Sequence, residues 1–565
     1  MQNRLKKLVN SPIFWTFLLF WYLSGVTELL LTTSGVSSLE GFKDATVASA
    51  LWLIPVLLKP DQAKKITALI AVFIWLTALP GVGYFLIYRQ ELTQSLLYII
   101  FESNTMESTE YLQNYFSASV LFGFVVFSLT HYFIWRNIQP FQINLKKAAW
   151  VSVALFCLIF LSPAIKAVGA QNFASAYKSL DRHLSVAPPW QLGFGYLNYQ
   201  TELAEVEQNL LQLNKIQPLE NFSEVHKPLP TTVVLVIGES TNRLHMGLYG
   251  YPRNTNPKLR SIASELHIFN NVFASRPNTI ESLQQVLTFA DQQHPDWYKT
   301  KPSLIAMMKQ AGYKSIWITN QQTLTARNTM LTTFAKQTDQ QIFLNTTRKQ
   351  NAYSFDEKVL APYADALQDK AEKKFIVVHL LGTHMKYNYR FPESAEFFKS
   401  TDDLPIALSD DKKATINAYD NAVRYNDNIV YTLIEKLKAR QQHSLLVYFS
   451  DHGDDVFDSG MHDFQGRNEG RPTYPMYAVP FMVWHSKNWF NQHIFNDTTI
   501  LNRQYDNADF IYTWSDLLGL RYQGYLAHES MVNPNFLEDQ ILVGDPYQKR
   551  LGQLQGTQSV ESYPH

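Results

Sequence analysis

The 565-residue chain carries 49 basic and 49 acidic side chains, so its formal charge is zero. This balance argues against binding of nucleic acid through a dominant basic surface, because such binding neutralises phosphates with Lys and Arg. Charged residues make up only 17% of the chain and aromatic residues 14%, which excludes disorder over most of the length and indicates that part of the chain avoids water. The single cysteine, Cys157, excludes an intrachain disulfide and a cluster of thiolate metal ligands.

Five apolar runs occupy the first 168 residues. They cover residues 12–33, 46–58, 66–88, 117–135 and 148–168. A helix needs about 20 apolar residues to cross a bilayer, and only the run at 46–58 is clearly short. An interfacial or re-entrant segment is the alternative for that run, but the charges on its two sides favour a crossing. The sequence therefore predicts a transmembrane domain of five helices in residues 1–168.

Basic residues predict how these helices are oriented. They cluster before the first run, after the second, and between the fourth and the fifth: Arg4, Lys6, Lys7, Lys59, Lys64, Lys65, Arg136, Lys146 and Lys147. Because positively charged loops stay in the cytoplasm, the N-terminus is predicted to be cytoplasmic and the part after the fifth helix to be exported. The first run is too long for a signal peptide and lacks a cleavage site after it, so we expect it to remain as an anchor.

Residues 169–228 are predicted to be a linker with an amphipathic helix at 203–213. This helix lacks a basic face, which favours packing on the next domain over binding to the membrane surface. From 229 to 551, short apolar runs alternate with helical stretches, a pattern typical of a three-layer α/β domain with a buried parallel sheet. The runs lie at 233–237, 315–319, 375–381, 445–449 and 479–484. Residues 552–565 are predicted to be a disordered tail.

Polar side chains follow three of these predicted strands. Glu239 follows the first, His384 follows the third, and Asp451 and His452 follow the fourth. Ligands collect at the carboxyl ends of strands in open α/β sheets. Each residue alone has an ordinary explanation as a cap or a turn, but together they offer the oxygen and nitrogen ligands that hold zinc or another divalent ion. His462 would be a surface histidine by itself and gains interest only beside Asp451 and His452.

A nucleophile is expected where an apolar stretch gives way to a helix at Thr279. Free backbone N–H groups at a helix start attract an anionic phosphate, and a nearby divalent cation lowers the pKa of a hydroxyl group. Considered alone, Thr279 is more simply explained as a helix cap.

These motifs resemble the membrane-anchored phosphoethanolamine transferases of the alkaline phosphatase and sulfatase superfamily, over essentially the whole chain. The resemblance rests on the Thr279 segment and on Val-Ile-Gly-Glu-Ser-Thr (236–241), Leu-Tyr-Gly-Tyr-Pro-Arg (248–253) and Ser-Asp-His-Gly (450–453). Residues 317–322, 379–384 and 465–469 look most similar to the core-heptose branch. The implied fold is an N-terminal transmembrane domain of five helices and a C-terminal periplasmic α/β domain, a three-layer sandwich of the alkaline phosphatase and sulfatase type.

The resemblance also implies a metal site and a nucleophile. Glu239, Thr279, Asp451 and His452 match the metal ligands of the family, and Thr279 matches the threonine that carries the covalent phosphoethanolamine. One tightly bound Zn²⁺ is implied, and a second is compatible with turnover.

Other positions are implied to act on the substrates. His384 and His462 match positions near the transferred phosphate, where they could donate a proton to the leaving group. Glu107 resembles an outer-loop acid that handles the lipid substrate. Lipid A-modifying relatives have disulfides, which this chain lacks, and they hold the phosphoethanolamine group with an Asn and a Lys after the corresponding strand. In this chain the candidates there, by location only, are Asn320, Gln322 and Arg327.

The implied reaction moves phosphoethanolamine from phosphatidylethanolamine to lipopolysaccharide, at core heptose, in the bacterial inner membrane. Transfer to lipid A or to the inner keto sugar Kdo, a phosphoglycerol transferase, and a catalytically silent envelope scaffold stay open as alternatives. A sulfatase is disfavoured because its nucleophile is usually a modified Cys or Ser in a motif of its own, and Cys157 lies in a membrane run. The sequence does not indicate an oligomeric state.

Overall fold

The computed structural model describes residues 11–34, 39–89, 92, 96–97, 100–101, 116–169, 173–211, 217–226, 229–322, 330–345, 354–404, 408–459, 464–548 and 551–554. The chain divides into two units, Met1–Glu202 and Leu203–His565.

The N-terminal unit is helical. Its helices are α1 (Pro12–Thr33), α2 (Leu39–Ala50), α3 (Leu53–Leu58), α4 (Ala63–Tyr88), α5 (Ala118–Arg136), α6 (Leu145–Gly169), α7 (Phe173–Leu184) and α8 (Trp190–Leu211), the last of which runs past the end of the unit. Among the described residues, five stretches are long and apolar enough to cross a membrane: Pro12–Thr33, Leu39–Leu58, Pro60–Tyr88, Ala118–Arg136 and Leu145–Ile165.

The second of these stretches is longer than the apolar run that predicted it. The stretch begins at Leu39, seven residues before the predicted run at 46–58. Its first turns contain Glu40, Lys43 and Asp44, so charged side chains hide the helix start from a hydropathy pattern. A 20-residue stretch meets the length that a crossing requires, and the predicted five-helix domain is confirmed.

Burial in this unit is typical of a membrane protein. Side chains such as Phe20 and Ile74 are fully buried between helices, whereas Leu69, Phe122 and Trp150 are 77%, 69% and 76% exposed. Large apolar surfaces of this kind are unfavourable in water but match the lipid tails around a transmembrane helix. The chain is therefore a membrane protein.

Charged residues make contacts at two places in this unit. Lys64 Nζ lies 3.4 Å from the carbonyl oxygen of Arg136, so the start of α4 and the end of α5 lie together. Elsewhere, Arg182 pairs with Glu40 at 3.4 Å and His183 with Asp44 at 3.1 Å, which joins α7 to α2. The first part of the segment predicted as a linker therefore packs on the membrane helices.

The C-terminal unit is built on a mixed sheet of seven strands within the described residues. They are β1 (Thr231–Gly238), β2 (Leu266–Phe269), β3 (Lys314–Gln322), β4 (Gln340–Asn345), β5 (Lys373–His379), β6 (His443–Ser450) and β7 (Phe481–His485). Their spatial order is β2-β7-β6-β1-β5-β3-β4. The central strands are parallel, with Val234 of β1 facing Ile376 of β5 and Leu446 of β6. β7 is antiparallel to both of its neighbours.

The structure corrects the all-parallel prediction at the edges of the sheet. The run at 479–484 is the antiparallel strand β7, and β2 and β4 were not predicted. β2 is only four residues long, and β4 is exposed or half-buried along its whole length, so neither has a continuous apolar run. Short strand pairs complete the unit: Ser223–Glu224 with Leu520–Arg521, Asp455–Val456 with Gln465–Gly466, Val272–Phe273 with Tyr505–Asp506, and Leu542–Val543 with Gly552–Gln553.

Two layers of helices cover the sheet. The helices are α9 (Pro257–Ser261), α10 (Thr279–Val286), α11 (Leu304–Gln310), α12 (Met330–Lys336), α13 (Leu360–Leu367), α14 (Asp410–Lys438), α15 (Tyr474–Tyr477) and α16 (Phe510–Leu518). Val233 and Leu235 pack with α10, α11 and α16 on one face, and Val234 and Val236 pack with α13 and α14 on the other. Side chains alternate across a strand, so β1 is buried on both faces. This arrangement confirms the three-layer α/β fold.

The chain also contains single-turn 3₁₀ helices, at Pro60–Gln62, Arg243–His245, Gly247–Tyr249, Ala263–Glu265, Pro295–Lys299, Asp356–Val359, Tyr387–Tyr389, Glu393–Ala395, Gln492–Asn496, Thr498–Asn502, Asn507–Asp509, Ala527–Glu529 and Pro546–Gln548. The domain was predicted to end at residue 551, but the strand at Gly552–Gln553 still pairs with Leu542–Val543. Residues 555–565 of the predicted tail lie outside the described residues.

Candidate active site

The candidate site lies at the carboxyl edge of the central strands. Glu239 follows β1, and Asp451 and His452 follow β6, the parallel neighbour of β1. Thr279 begins α10, which packs on one face of the same sheet. The four side chains come from three distant segments of the sequence, and the parallel register of β1 and β6 brings them to one place.

Their polar atoms are close enough to share one ion. Glu239, Asp451 and His452 each present one ligand atom, and these atoms lie within 4.8 Å of one another. Thr279 Oγ1 donates a hydrogen bond to Glu239 Oε2 at 3.1 Å and lies 3.3 Å from His452 Nε2. Glu239, Asp451 and His452 are all buried, with at most 1% of each residue exposed. We refer to these four residues as the Thr279 cluster.

Ser240 fixes the turn that orients the two carboxylates. Its φ of 58° lies in the left-handed region, which a non-glycine residue adopts only at some energetic cost. In this conformation its backbone N–H donates to Asp451 Oδ1 at 3.1 Å, and its hydroxyl donates to Glu239 Oε1 at 2.8 Å. One residue therefore holds both acidic side chains.

The turn at His452 determines which of its ring nitrogens faces the cluster. Nδ1 lies 3.0 Å from the carbonyl oxygen of Gly453 and donates to it, so Nε2 keeps its lone pair. Nε2 lies 3.3 Å from Thr279 Oγ1, 3.3 Å from Glu239 Oε1 and 3.4 Å from Asp451 Oδ2, which is the place where a cation would bind. A hydrogen bond of this kind commonly fixes the tautomer of a metal-binding histidine. The turn requires a glycine, because a Cβ at Gly453 would lie 2.2 Å from the carbonyl oxygen of Pro475.

Two site residues were missed by the sequence analysis. Arg467 Nη1 contacts His452 Nε2 and lies 3.3 Å from Glu239 Oε1 and 3.1 Å from Ser240 Oγ. Gln321 Nε2 donates to Glu239 Oε2 at 3.1 Å and to the carbonyl oxygen of Leu380 at 2.8 Å. Arg467 belongs to the 465–469 motif, which carries only the family resemblance, and Gln321 stands between the candidates Asn320 and Gln322.

The electrostatics of the cluster are dominated by two neighbouring carboxyl groups. Burial raises the pKa of Asp451 well above its usual value, and the negative charge of Glu239 raises it further. Glu239 has the opposite shift: burial disfavours its charged form, but His452, His384 and Arg467 outweigh burial and hold its pKa well below the usual range. Burial and the charge of Arg467 lower the pKa of His452. The cluster therefore favours an uncharged imidazole and disfavours a second negative charge.

This donor set fits a divalent cation. Asp451 Oδ2 is buried, and it accepts no hydrogen bond in the part of the chain that the structure describes. A carboxylate oxygen left in this way is unfavourable unless a cation binds it. Two carboxylates and one imidazole nitrogen are ligands that zinc accepts in proteins, and the Thr279 hydroxyl lies beside them. The residues thus fit the predicted metal ion.

His384 and Asn320 are the other predicted residues whose side chains the structure describes. His384 is half-buried after β5, with its pKa lowered to about 3 by burial and by the charges of Arg390 and Arg467. Asn320 is not brought to the cluster, because its amide donates to Asp356 Oδ1 at 2.9 Å and accepts from Ser354 at 2.6 Å.

The side chains of the remaining predicted site residues lie outside the part of the chain that the structure describes. Gln322 ends β3, but its side chain is not among the described atoms. Glu107, Arg327 and His462 lie outside the described residues.

Comparison with known proteins identifies the fold and the family. The family model described as Sulfatase matches residues 231–520. Phosphoethanolamine transferase EptC of Escherichia coli (strain K12) is 44% identical to this chain over 541 residues, which are 95% of this chain and 94% of that protein.

Two solved structures are similar to the chain. The crystal structure of the C-terminal periplasmic domain of EptC from Escherichia coli, in complex with Zn, aligns with a TM-score of 0.58 and 51% identity over 60% of this chain and 96% of that chain. The integral membrane protein lipooligosaccharide phosphoethanolamine transferase A (EptA) from Neisseria meningitidis aligns with a TM-score of 0.61 over 92% of this chain and 97% of that chain. At 18% identity the second structure shows a shared fold that includes the helical unit. Because the likeness to EptC extends over nearly the entire chain, this chain belongs to the phosphoethanolamine transferases of the sulfatase family.

Proposed function

We propose that the protein transfers phosphoethanolamine from phosphatidylethanolamine to lipopolysaccharide, with core heptose as the acceptor. The observation that carries the proposal is the position of Thr279 Oγ1, 3.1 Å from Glu239 Oε2 and 3.3 Å from His452 Nε2. A hydroxyl at the start of a helix, next to a cation-binding set, is suited to attack phosphorus. The likeness to EptC supports the transferred group.

The proposed metal ion is Zn²⁺, held by Glu239, Thr279, Asp451 and His452. When bound, zinc would stabilise negative charge on the threonine oxygen and on the phosphoryl oxygens. The Zn complex of the EptC domain supports this choice of metal. A second zinc ion during turnover stays a prediction from the family resemblance.

The chain's own residues account for the first half of the reaction. Thr279 Oγ1 forms a bond to phosphorus, the bond from phosphorus to the glycerol oxygen breaks, and phosphoethanolamine stays on the threonine. Glu239 Oε2 accepts a hydrogen bond from the Thr279 hydroxyl, which orients Oγ1 so that a lone pair is available for the attack. Thr279 loses one proton and diacylglycerol gains one, so the step is balanced.

The second half regenerates the enzyme. An acceptor hydroxyl oxygen bonds to phosphorus, the bond to Thr279 Oγ1 breaks, and the proton of the acceptor replaces the one that Thr279 lost. His384 and His462 are proposed to carry this proton. Burial lowers the pKa of His384, so its imidazole is neutral at pH 7. Glu107, Gln322 and Arg327 are proposed to contact the lipid or the ethanolamine group.

The membrane unit fits substrates that are both anchored in lipid. We propose that the protein lies in the bacterial inner membrane, with its N-terminus in the cytoplasm and its catalytic unit in the periplasm. The contact between Lys64 and Arg136 supports this orientation, because it brings two basic clusters to the same end of the helices.

The proposal is tested by mass spectrometry of lipopolysaccharide from cells that carry wild-type protein, Thr279→Ala, Thr279→Ser or no gene. We expect a phosphoethanolamine mass on core heptose with the wild type, its loss with Thr279→Ala and partial activity with Thr279→Ser, which keeps a hydroxyl group. A gene-dependent phosphoethanolamine mass on lipid A or Kdo would show that the proposed acceptor is wrong. A phosphoglycerol mass would show that the proposed transferred group is wrong.

The covalent step is tested on the purified protein with labelled phosphatidylethanolamine. A labelled adduct on Thr279 is expected for the wild type and not for Thr279→Ala. An adduct on another residue would disprove the role of Thr279, and unchanged lipopolysaccharide with no adduct would favour the scaffold alternative.

A further inference from the structure

Arg467 is a cation that contacts the Thr279 cluster, and the proposed metal site gives it no role. Its Nη1 contacts His452 Nε2 and lies 3.3 Å from Glu239 Oε1. About 20% of the Arg467 side chain is exposed, whereas the Glu239 and His452 side chains are at most 1% exposed. Arg467 is therefore the most exposed of these three side chains.

The segment that carries Arg467 is held firmly beside the nucleophile. Gln465–Gly466 pairs with the strand Asp455–Val456, four residues after Asp451. Glu469 forms a two-point ion pair with Arg276, three residues before Thr279, with its Oε2 3.0 Å from Nη2. Both side chains of this pair are at most 4% exposed. A paired and buried guanidinium–carboxylate contact has a defined geometry, so Arg467 and Thr279 are positioned relative to each other.

Arg467 and a metal ion compete for the same lone pair. His452 Nδ1 donates to Gly453, so Nε2 is the only ring nitrogen that can accept from Arg467 or bind a metal. Arg467 carries only donors and a permanent positive charge, and cannot be a ligand itself. A metal ion that uses Nε2 must therefore displace the guanidinium, whose N–H groups then need an anionic partner.

The transferred phosphoryl group is the anion that the proposed reaction brings to this place. It becomes bonded to Thr279 Oγ1, which lies 3.3 Å from the Nε2 atom that Arg467 contacts. The planar guanidinium group matches two phosphoryl oxygens at once and stabilises the charge that develops on them. We propose that Arg467 is a catalytic residue that leaves His452 and binds the oxygens of the transferred phosphoryl group. The inference rests on the proposed function, and Arg467 itself forms and breaks no covalent bond.

The test compares two variants of Arg467. Arg467→Met removes the positive charge, whereas Arg467→Lys keeps the charge but lacks the planar guanidinium group. The second variant keeps the test informative if Arg467→Met does not fold. Arg471→Met is the matched control, because Arg471 is an exposed arginine four residues along the same segment. Each full-length protein is assayed for zinc affinity by competition with a chelating dye, and for binding of inorganic phosphate by the zinc-loaded form.

We expect Arg467→Met to bind zinc as tightly as the wild type or several-fold more tightly, because a neighbouring positive charge is gone, while phosphate binding weakens by about 10-fold or more. Arg467→Lys should lose less phosphate affinity, and Arg471→Met should match the wild type in both assays. A purely structural role predicts that zinc and phosphate binding weaken together, and that result would overturn the inference. Unchanged phosphate affinity in Arg467→Met would overturn it as well.

A third measurement separates this inference from the proposed function. The rate of adduct formation on Thr279 from phosphatidylethanolamine should fall by about 10²-fold in Arg467→Met. If the wild type forms no adduct, the proposed donor is wrong, but the zinc and phosphate assays still decide whether Arg467 binds a phosphoryl group.

Discussion

Two buried clusters of charged side chains in the C-terminal unit differ in how completely their charges are paired. In the first, which we call the His245 network, Asp420 contacts His245 at 2.6 Å and Arg253 at 2.6 Å, and Asp458 contacts the other side of His245 at 3.0 Å. In the Thr279 cluster, by contrast, two carboxyl groups face each other and Asp451 Oδ2 accepts no hydrogen bond from the described residues.

This difference separates a structural role from a functional one. A buried charge is unfavourable unless it is paired, and the His245 network satisfies this condition on both sides of the imidazole. In the Thr279 cluster, Arg467 contacts Glu239 and His452, but Asp451 Oδ2 has no partner among the described residues, and a bound metal ion would supply the missing positive charge. Polar groups whose pairing is incomplete inside a well-packed fold are therefore the better candidates for catalysis.

The largest expected effect comes from Asp451→Asn. Phosphoethanolamine transfer should fall by about 10³-fold or more, because a proposed metal ligand and its charge are lost. In the presence of a chelator the variant should be as stable as the wild type or more stable by about 1 kcal/mol, because one of two facing carboxyl groups is neutral. Transfer assays and urea unfolding in chelator check both parts. Strong destabilisation in chelator would mean that the cluster, too, is mainly structural.

The second expected effect is on stability, and it has the opposite pattern. Asp420→Asn should lower the free energy of unfolding by about 3–5 kcal/mol, since His245 and Arg253 would be left as buried charges with fewer partners. Asp403→Asn is the control, because Asp403 also pairs with Arg253 at 2.8 Å but its side chain is 54% exposed. The control should lose less than about 1 kcal/mol. Equal effects of the two variants in urea unfolding would contradict the assignment of the network as a stability element.

The third prediction concerns pH. Burial lowers the pKa of His245, but Asp458 and Asp420 outweigh burial and raise it to about 10. Because this pKa lies above the unfolded value of about 6.5, the stabilisation is fully present below pH 6.5 and is lost as pH rises through about 10. The free energy of unfolding should fall by up to about 1.4 kcal/mol per pH unit within this window. His245→Gln should remove this component, and an unchanged slope in the variant would show that other groups cause it.

The smallest expected effects distinguish two neighbours on β3. Gln321→Leu should lower kcat by about 10-fold with little change in zinc content, because Glu239 loses one of its donors. Asn320→Ala should instead lower the free energy of unfolding by about 1–3 kcal/mol and leave kcat near the wild-type value, because Asp356 and Ser354 lose their partner. Kinetics and urea unfolding of both variants give the comparison. A loss of activity in Asn320→Ala without a loss of stability would restore the interpretation that Asn320 binds substrate.

Much of the fold could be predicted because its signals are local. Apolar runs predicted five membrane helices, and the structure confirms them, although the second begins earlier than the hydropathy pattern showed. Continuous apolar runs likewise predicted the central strands, which are buried on both faces. The direction of β7 could not be predicted, because a short apolar run such as 479–484 is the same in a parallel and an antiparallel strand.

The candidate site was predictable only where its residues stand in contiguous motifs. Glu239, Asp451 and His452 follow strands directly, so the rule for strand ends led to them. Arg467 meets Glu239 across 228 positions, and no local pattern reports such a contact. Asn320 and Gln321 are adjacent, yet the alternation of side chains along β3 sends one to Asp356 and the other to Glu239.

The sequence by itself determined the division into a membrane part and an α/β part, the family, and the candidate ligands, because hydrophobic periodicity and short motifs depend on neighbouring residues alone. The tertiary structure decided which charges are paired. His245 and His452 are both buried histidines beside carboxyl groups, but two acidic partners raise the pKa of the first, whereas burial and Arg467 lower the pKa of the second. These partners come from distant segments, so their effect on each histidine depends on how the strands and loops are brought together in the folded chain.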